Sequence, residues 1–276
     1  MPTNAAVSGF APIGGARLYY ETAGEGRPLV MIHAGVADSR QWNNEFARFA
    51  DAFHVLRYDM RGYGKSEPVE GAFSHMGDLI ALLDHLGINE PLMLMGCSMG
   101  GGLALNFALA QPTRVRALIM VGSGPSGLKL DTPEHPKEAE AEEAIKAGQL
   151  DRLAELEAQI WFDGMGRTPE QVNPGMRALA YEMNRLALSH EAKKLGERLP
   201  DIETPSAERL GELAIPVLVI VGANDVPYLQ AAADHMIANI PSARKVVMQD
   251  AAHLCNMDHP EEFYGIVKTF LDGLLE

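Results

Sequence analysis

Short apolar runs recur along this chain, separated by longer stretches with helical spacing. Pro28 to His33, His54 to Tyr58, residues 92–95, Val115 to Val121, Pro216 to Val221 and Lys245 to Met248 read as strands. Arg17 to Thr22 reads as an earlier strand, ahead of a turn at Gly24-Glu25-Gly26. Trp42 to Ala50 has a helical period. So does Phe73 to Leu86, with Leu79, Leu82, Leu83 and Leu86 on one side, and Pro260 to Leu274 closes the chain as a helix. Buried strands alternating with helices predict an α/β fold with a mostly parallel central sheet flanked by helices.

One region breaks the alternation. Residues 126–205 contain no convincing strand, whereas Glu138 to Phe162 and Arg177 to Leu199 have helical patterns. The economical reading is a helical cap insertion at 126–205, lying over the carboxyl edge of the sheet, where open α/β sheets bind ligands. Residues 1–125 and 206–276 then form the core domain. Pro91 to Thr113 carries no charge and could be mistaken for a membrane span. Gly100-Gly101-Gly102 at its centre divides it instead into a strand half and a helix half.

Composition narrows the partners. The 276 residues carry a formal net charge of -14, which argues against nucleic acid and against anionic membrane surfaces. Cys97 and Cys255 set no disulfide framework, and Met1 to Phe10 has no secretory signal pattern, so a reducing, cytoplasmic compartment is expected. No His/Cys/carboxylate cluster has metal-ligand spacing and no G-x-G-x-x-G follows a strand, so neither metal nor cofactor is expected. Oligomeric state is not encoded in any pattern visible here.

The chemistry centres on Gly96-Cys97-Ser98-Met99-Gly100, a G-x-S-x-G between a predicted strand and a small-residue helical run. A serine on such a turn exposes its hydroxyl with a helix N-terminus behind it. A serine hydroxyl needs a base, and the base an orienting acid. The order after such an elbow is Ser, then Asp or Glu, then His. Asp225 follows the strand Pro216 to Val221, and His253 follows the strand at residues 245–248. Three strand ends would thus deliver a hydroxyl, a carboxylate and an imidazole to one sheet edge. Asp250 is the rival acid, nearer His253 in sequence but expected to point elsewhere. The other histidines read as structural or solvated, and His33 as a residue bracing its loop. The oxyanion needs two backbone N–H donors. Met99 is one, and Gly35, with Val36 as the alternative, is the other. Cys97 reads as a small buried elbow residue. Trp161 and Phe162 end a cap helix, where they either line an acyl pocket or form cap core.

These motifs resemble the α/β-hydrolase fold superfamily, in its branch with a helical cap. The similar residues are Val30-Met31-Ile32-His33-Ala34-Gly35, Arg57-Tyr58-Asp59-Met60-Arg61-Gly62-Tyr63-Gly64-Lys65-Ser66, Gly96-Cys97-Ser98-Met99-Gly100-Gly101, Gly222-Ala223-Asn224-Asp225 and Ala252-His253. The resemblance implies Ser98 as nucleophile, Asp225 as acid and His253 as base, with Asp59 to Ser66 a structural loop. Relatives that open epoxides or displace halide carry aspartate where Ser98 stands, so an alkyl-enzyme route is not expected. Ala34 departs from the glycine of many relatives. The expected activity is cofactor-free hydrolysis of small carboxylic esters or lactones. Alternatives are carbon–carbon bond hydrolysis of a vinylogous diketone, a perhydrolytic side activity, and a ligand-binding receptor that retains a hydrolase pocket.

Overall fold

The computed structural model describes residues 6–274. In chain order its elements are β1 (Val7–Ile13), β2 (Ala16–Ala23), β3 (Pro28–Ile32), α1 (Asn43–Phe49), β4 (His54–Tyr58), β5 (Ala72–Phe73), α2 (His75–His85), β6 (Leu92–Cys97), α3 (Met99–Ala110), β7 (Val115–Val121), α4 (Glu138–Lys146), α5 (Leu150–Ala158), α6 (Pro174–Glu191), β8 (Glu197–Arg198), β9 (Val217–Gly222), α7 (Pro227–Asn239), β10 (Ala243–Met248), α8 (Cys255–Asp258) and α9 (Pro260–Asp272).

One eight-stranded sheet runs β1-β2-β4-β3-β6-β7-β9-β10. β1 and β2 are antiparallel, as are β2 and β4, and the remaining pairs are parallel. β3, β6 and β9 are buried at every position, which is why they read as unbroken apolar runs. Alternate side chains feed two cores. Val30, Ile32 and Leu94 pack under α2, α3 and α7. Leu29, Met31 and Met95 pack under α1 and α9. The chain goes from β3 outward to β4, then crosses back to lay β6 on the other flank of β3. The order reverses between β3 and β6, and the crevice beyond their carboxyl ends is where such sheets bind ligands.

The uncharged segment after Pro91 divides into β6 and α3, and no helix among the described residues is long and apolar enough to cross a membrane.

Several boundaries differ from expectation, each for a local reason. β1 was not expected: it is a mostly exposed edge strand containing Gly9 and Pro12, so it shows no alternation. The predicted helix from Glu138 to Phe162 is two helices, because Gly148 at φ +65° ends α4 in a conformation other residues resist. α5 then runs into one π-helical turn, Gln159–Asp163. The helix predicted from Phe73 starts at His75, where the Ser74 hydroxyl accepts from Gly77 N–H, and Phe73 belongs to β5. The helix predicted from Arg177 to Leu199 is α6, displaced toward Pro174 and ended before Lys194 and Gly196, both at positive φ. β8 follows and pairs with β5, so the 126–205 segment does contain one short strand.

That helical segment rests on the loops after β9 and β10. Met165 N–H donates to the Asn224 carbonyl at 2.7 Å, and Arg167 reaches the Asp250 carbonyl at 2.6 Å and the Asp258 carboxylate at 2.7 Å. Ile160 packs in one cluster with Val226 and Leu229.

Candidate active site

Ser98 sits between β6 and α3 at φ 52°, ψ -117°, a backbone conformation unfavourable for a side-chain-bearing residue. Its N–H donates to the Val121 carbonyl at 2.8 Å, tying the turn to β7. The turn also needs the chain on both sides to come close. A Cβ on Gly96 would lie 2.3 Å from the Gly100 oxygen, and one on Gly100 would lie 2.4 Å from the Ile32 oxygen. Any other residue at those positions would push α3 off β3 and β6.

Asp225 and His253 follow β9 and β10 and are 0% and 2% exposed. His253 Nδ1–H donates to Asp225 Oδ2 at 3.0 Å, and Val226 N–H donates to Oδ1 at 2.8 Å. Both carboxylate oxygens are engaged, and Oδ2 as an acceptor fixes the proton on Nδ1. Nε2 is thereby the acceptor. The space between β7 and this pair is narrow: a Cβ on Gly122 would lie 2.9 Å from His253 Nδ1 and 3.2 Å from Asp225 Oδ2. The structure places Asp225, not Asp250, against the imidazole. Asp250 is exposed.

Gly35 lies against Met99, since a Cβ on Gly35 would meet the Met99 side chain at 3.7 Å. Met99 opens α3, where the first amides have no partner within the helix. The loop carrying Gly35 and Val36 is held from both ends. Met60 N–H donates to His33 Nε2 at 3.0 Å, so Nδ1 holds the proton and donates to the Ala34 carbonyl at 2.7 Å. Burial pulls the His33 pKa down, which keeps this brace neutral. Ala34 N–H donates to Gln41 Oε1 at 2.8 Å. Asp59 accepts from Ser39 N–H and Lys65 N–H, and Arg61 lies on Asp78, so the loop from Asp59 to Ser66 braces its neighbours.

Cys97 is fully buried, and burial pushes its thiol up to about 12. It is no rival nucleophile at neutral pH. Trp161 and Phe162 differ in their surroundings. The Trp161 ring lies 4.7 Å from the His253 ring, whereas Phe162 is 1% exposed and belongs to the core. Among the described residues no group of three or more His, Cys, Asp or Glu is placed to hold a metal ion.

Two cavities share Arg198 in their walls, and the smaller one contains Ser98. One, of about 490 Å³, is walled by Gly35, Val36, Tyr63, His75, Glu157 and Arg198 among others. The other, of about 270 Å³, is walled by Ser98, Met99, Gly122 and Arg198 among others. Arg198 borders both, and sequence reasoning missed it, as it missed Gln41 and Asn256. Gln41 and Asn256 are bonded to each other from distant parts of the chain, and Arg198 with its nearby Asp201 forms no recognisable motif, so no spacing marks them.

The family model described as alpha/beta hydrolase fold matches residues 27–260. A 2-hydroxy-6-oxononadienedioate/2-hydroxy-6-oxononatrienedioate hydrolase of Klebsiella pneumoniae is 28% identical, over 98% of this chain and 97% of its own. The enol-lactonase from Burkholderia xenovorans superposes with TM-score 0.77 at 24% identity, covering 96% of this chain and 100% of that one. A thermophilic esterase from Thermogutta terrifontis does so with TM-score 0.74 at 25% identity, covering 98% and 99%. A sheet of this order, a serine on the turn after β6, an acid and a histidine after β9 and β10, and a match over most of the chain converge on one assignment: the chain belongs to the alpha/beta hydrolase fold family.

Proposed function

We propose that this hydrolase cleaves small-molecule carboxylic esters or lactones, with Ser98 as nucleophile, His253 as general base and Asp225 orienting it. The observation that carries the reading is the buried Asp225–His253 hydrogen bond, which leaves Nε2 as an acceptor at the sheet edge where Ser98 stands. In this mechanism the Ser98 oxygen attacks the carbonyl carbon while its proton passes to Nε2. The imidazolium is stabilised by Asp225. The oxyanion accepts hydrogen bonds from the Gly35 and Met99 N–H groups. Collapse expels the alcohol, which takes the proton from Nε2. Water, deprotonated by the same nitrogen, then attacks the acyl-enzyme and frees the acid. For a lactone the alcohol stays attached to the product. Residues 126–205 act as a cap, with Trp161 against the imidazole excluding bulk water. A resident cofactor has no part in these steps.

A second reading rests on the Klebsiella relative, whose name is that of a carbon–carbon bond hydrolase. The same three residues would serve it.

A panel of p-nitrophenyl esters of increasing acyl length, with several lactones and one vinylogous diketone, tests both. Short esters or lactones are expected to be turned over. Ser98→Ala and His253→Ala are each expected to lose about 10⁴-fold or more in kcat, and the double variant little more than either. Wild-type rates in Ser98→Ala would overturn the mechanism. A diketone cleaved far faster than every ester would select the second reading.

A further inference from the structure

Three polar side chains border the cavity beside Gly35, and two of them donate to a sulfur. Arg198 Nη1 donates to Met99 Sδ at 3.2 Å, and Tyr63 Oη donates to the same sulfur at 3.8 Å. A thioether is a weak acceptor. His75 is 3% exposed, and its Nδ1 has no partner at all. All three residues border the cavity of about 490 Å³. Arg198 also borders the cavity that holds Ser98.

Neighbouring arginines are saturated by comparison. Arg61 donates to both oxygens of Asp78, at 2.7 and 2.8 Å. Arg177 is shared between Asp163 and Glu155. Arg198 is paired more loosely, Nη2 to Asp201 Oδ2 at 3.5 Å, while the other oxygen of Asp201, Oδ1, accepts from Met76 N–H at 3.0 Å. The backbone fixes where Arg198 starts. Glu197 N–H donates to the Gly71 carbonyl at 3.0 Å and Leu199 N–H to that of Phe73 at 2.7 Å, one on each side of it.

The opposing charges are weak. Glu157 borders the cavity, but burial pushes its carboxyl pKa up and its partner is the neutral Asn184 amide at 2.7 Å. Glu191 is exposed to solvent. Burial and the charge of Arg198 hold His75 down to about 3, so the wall of the cavity at His75 is uncharged.

We infer that Arg198, with Tyr63, binds a carboxylate of the substrate, so that the preferred ester or lactone carries a second, free carboxylate. A carboxylate would displace the sulfur as acceptor and take the guanidinium in its paired geometry. Arg198 is a specificity-determining residue on this account, and the inference rests on the hydrolase reading above.

The test compares mono-p-nitrophenyl glutarate with p-nitrophenyl valerate, which has the same acyl length and no charge. The wild type is expected to favour the glutarate ester in kcat/KM. In Arg198→Gln the glutarate-to-valerate ratio should fall by about 10- to 100-fold, mainly through KM, with Arg198→Lys between the two. Glutarate itself, titrated calorimetrically into the full chain, should bind the wild type at least about 10-fold more tightly than Arg198→Gln. An unchanged ratio in Arg198→Gln, or glutarate binding that ignores the substitution, would overturn the inference. If neither ester is turned over, the ester reading fails, and glutarate titration still decides whether the anion site exists.

Discussion

A methyl group on Gly100 would sit 2.4 Å from the Ile32 oxygen and 2.5 Å from that of His33, both main-chain atoms with nowhere to move. Gly100→Ala is therefore expected to lower stability by about 3 kcal/mol, read as a drop in the urea midpoint, and to disturb Met99 beside it. The motif at Gly96 to Gly100 was legible in sequence because the turn constrains residue type at fixed offsets. Ser98 and Asp225 could be picked out because each follows an apolar run that had to be a buried strand, and His253 because it follows the last short strand, half-exposed at the sheet edge. Trp161 could be named only with two roles left open, and Arg198 not at all. A single aromatic or arginine in a helical stretch has no partner at a set spacing, and only the fold brings it to the site.

Helices α1 and α8 are joined through polar groups. Asn256 Nδ2 donates to the Gln41 carbonyl at 2.8 Å and to Glu45 Oε2 at 3.0 Å, while Gln41 Nε2 donates to Asn256 Oδ1 at 3.2 Å. Since Gln41 also accepts from Ala34 N–H, the network links the loop of Gly35 to the helix after His253. Burial pushes the Glu45 carboxyl up to about 7 from 4.5. The folded chain keeps this proton over a range where the unfolded chain has lost it. Stability from this group accordingly falls as pH rises from about 4.5 to about 7 and is level above, a loss of about 3 kcal/mol. Glu45→Gln should flatten that slope, leaving stability near wild type at pH 4.5 and raising it at pH 8. Urea midpoints at the two values check this, and equal slopes in both proteins would refute it. At this scale the sequence showed the buried central strands well. It hid β1 and β8, whose pairing comes from main-chain hydrogen bonds rather than from side-chain alternation.

The whole molecule is a sheet with its order reversed between β3 and β6 and a helical segment seated on the loops beyond it. The parallel α/β architecture could be foreseen, because alternating strands and helices leave few other solutions. How the helices of residues 138–191 pack could not. It depends on ties such as Arg177, which joins α5 and α6 to the π-helical turn through Glu155 and Asp163. Asp163 is 1% exposed, so Arg177→Ala strands a buried carboxylate and should cost about 3 kcal/mol, measured by urea denaturation. The main-chain angles at Ser98 have a further consequence for the molecule as a whole. Serine is held there against its own preference, by about 1–3 kcal/mol for such conformations. Glycine would be at ease in the same place, so Ser98→Gly should melt later than the parent by about 1 kcal/mol, after the greater freedom it gives the unfolded chain. Durability and turnover would then be rival demands on one residue, and a selection for heat resistance alone would tend to discard the proposed nucleophile.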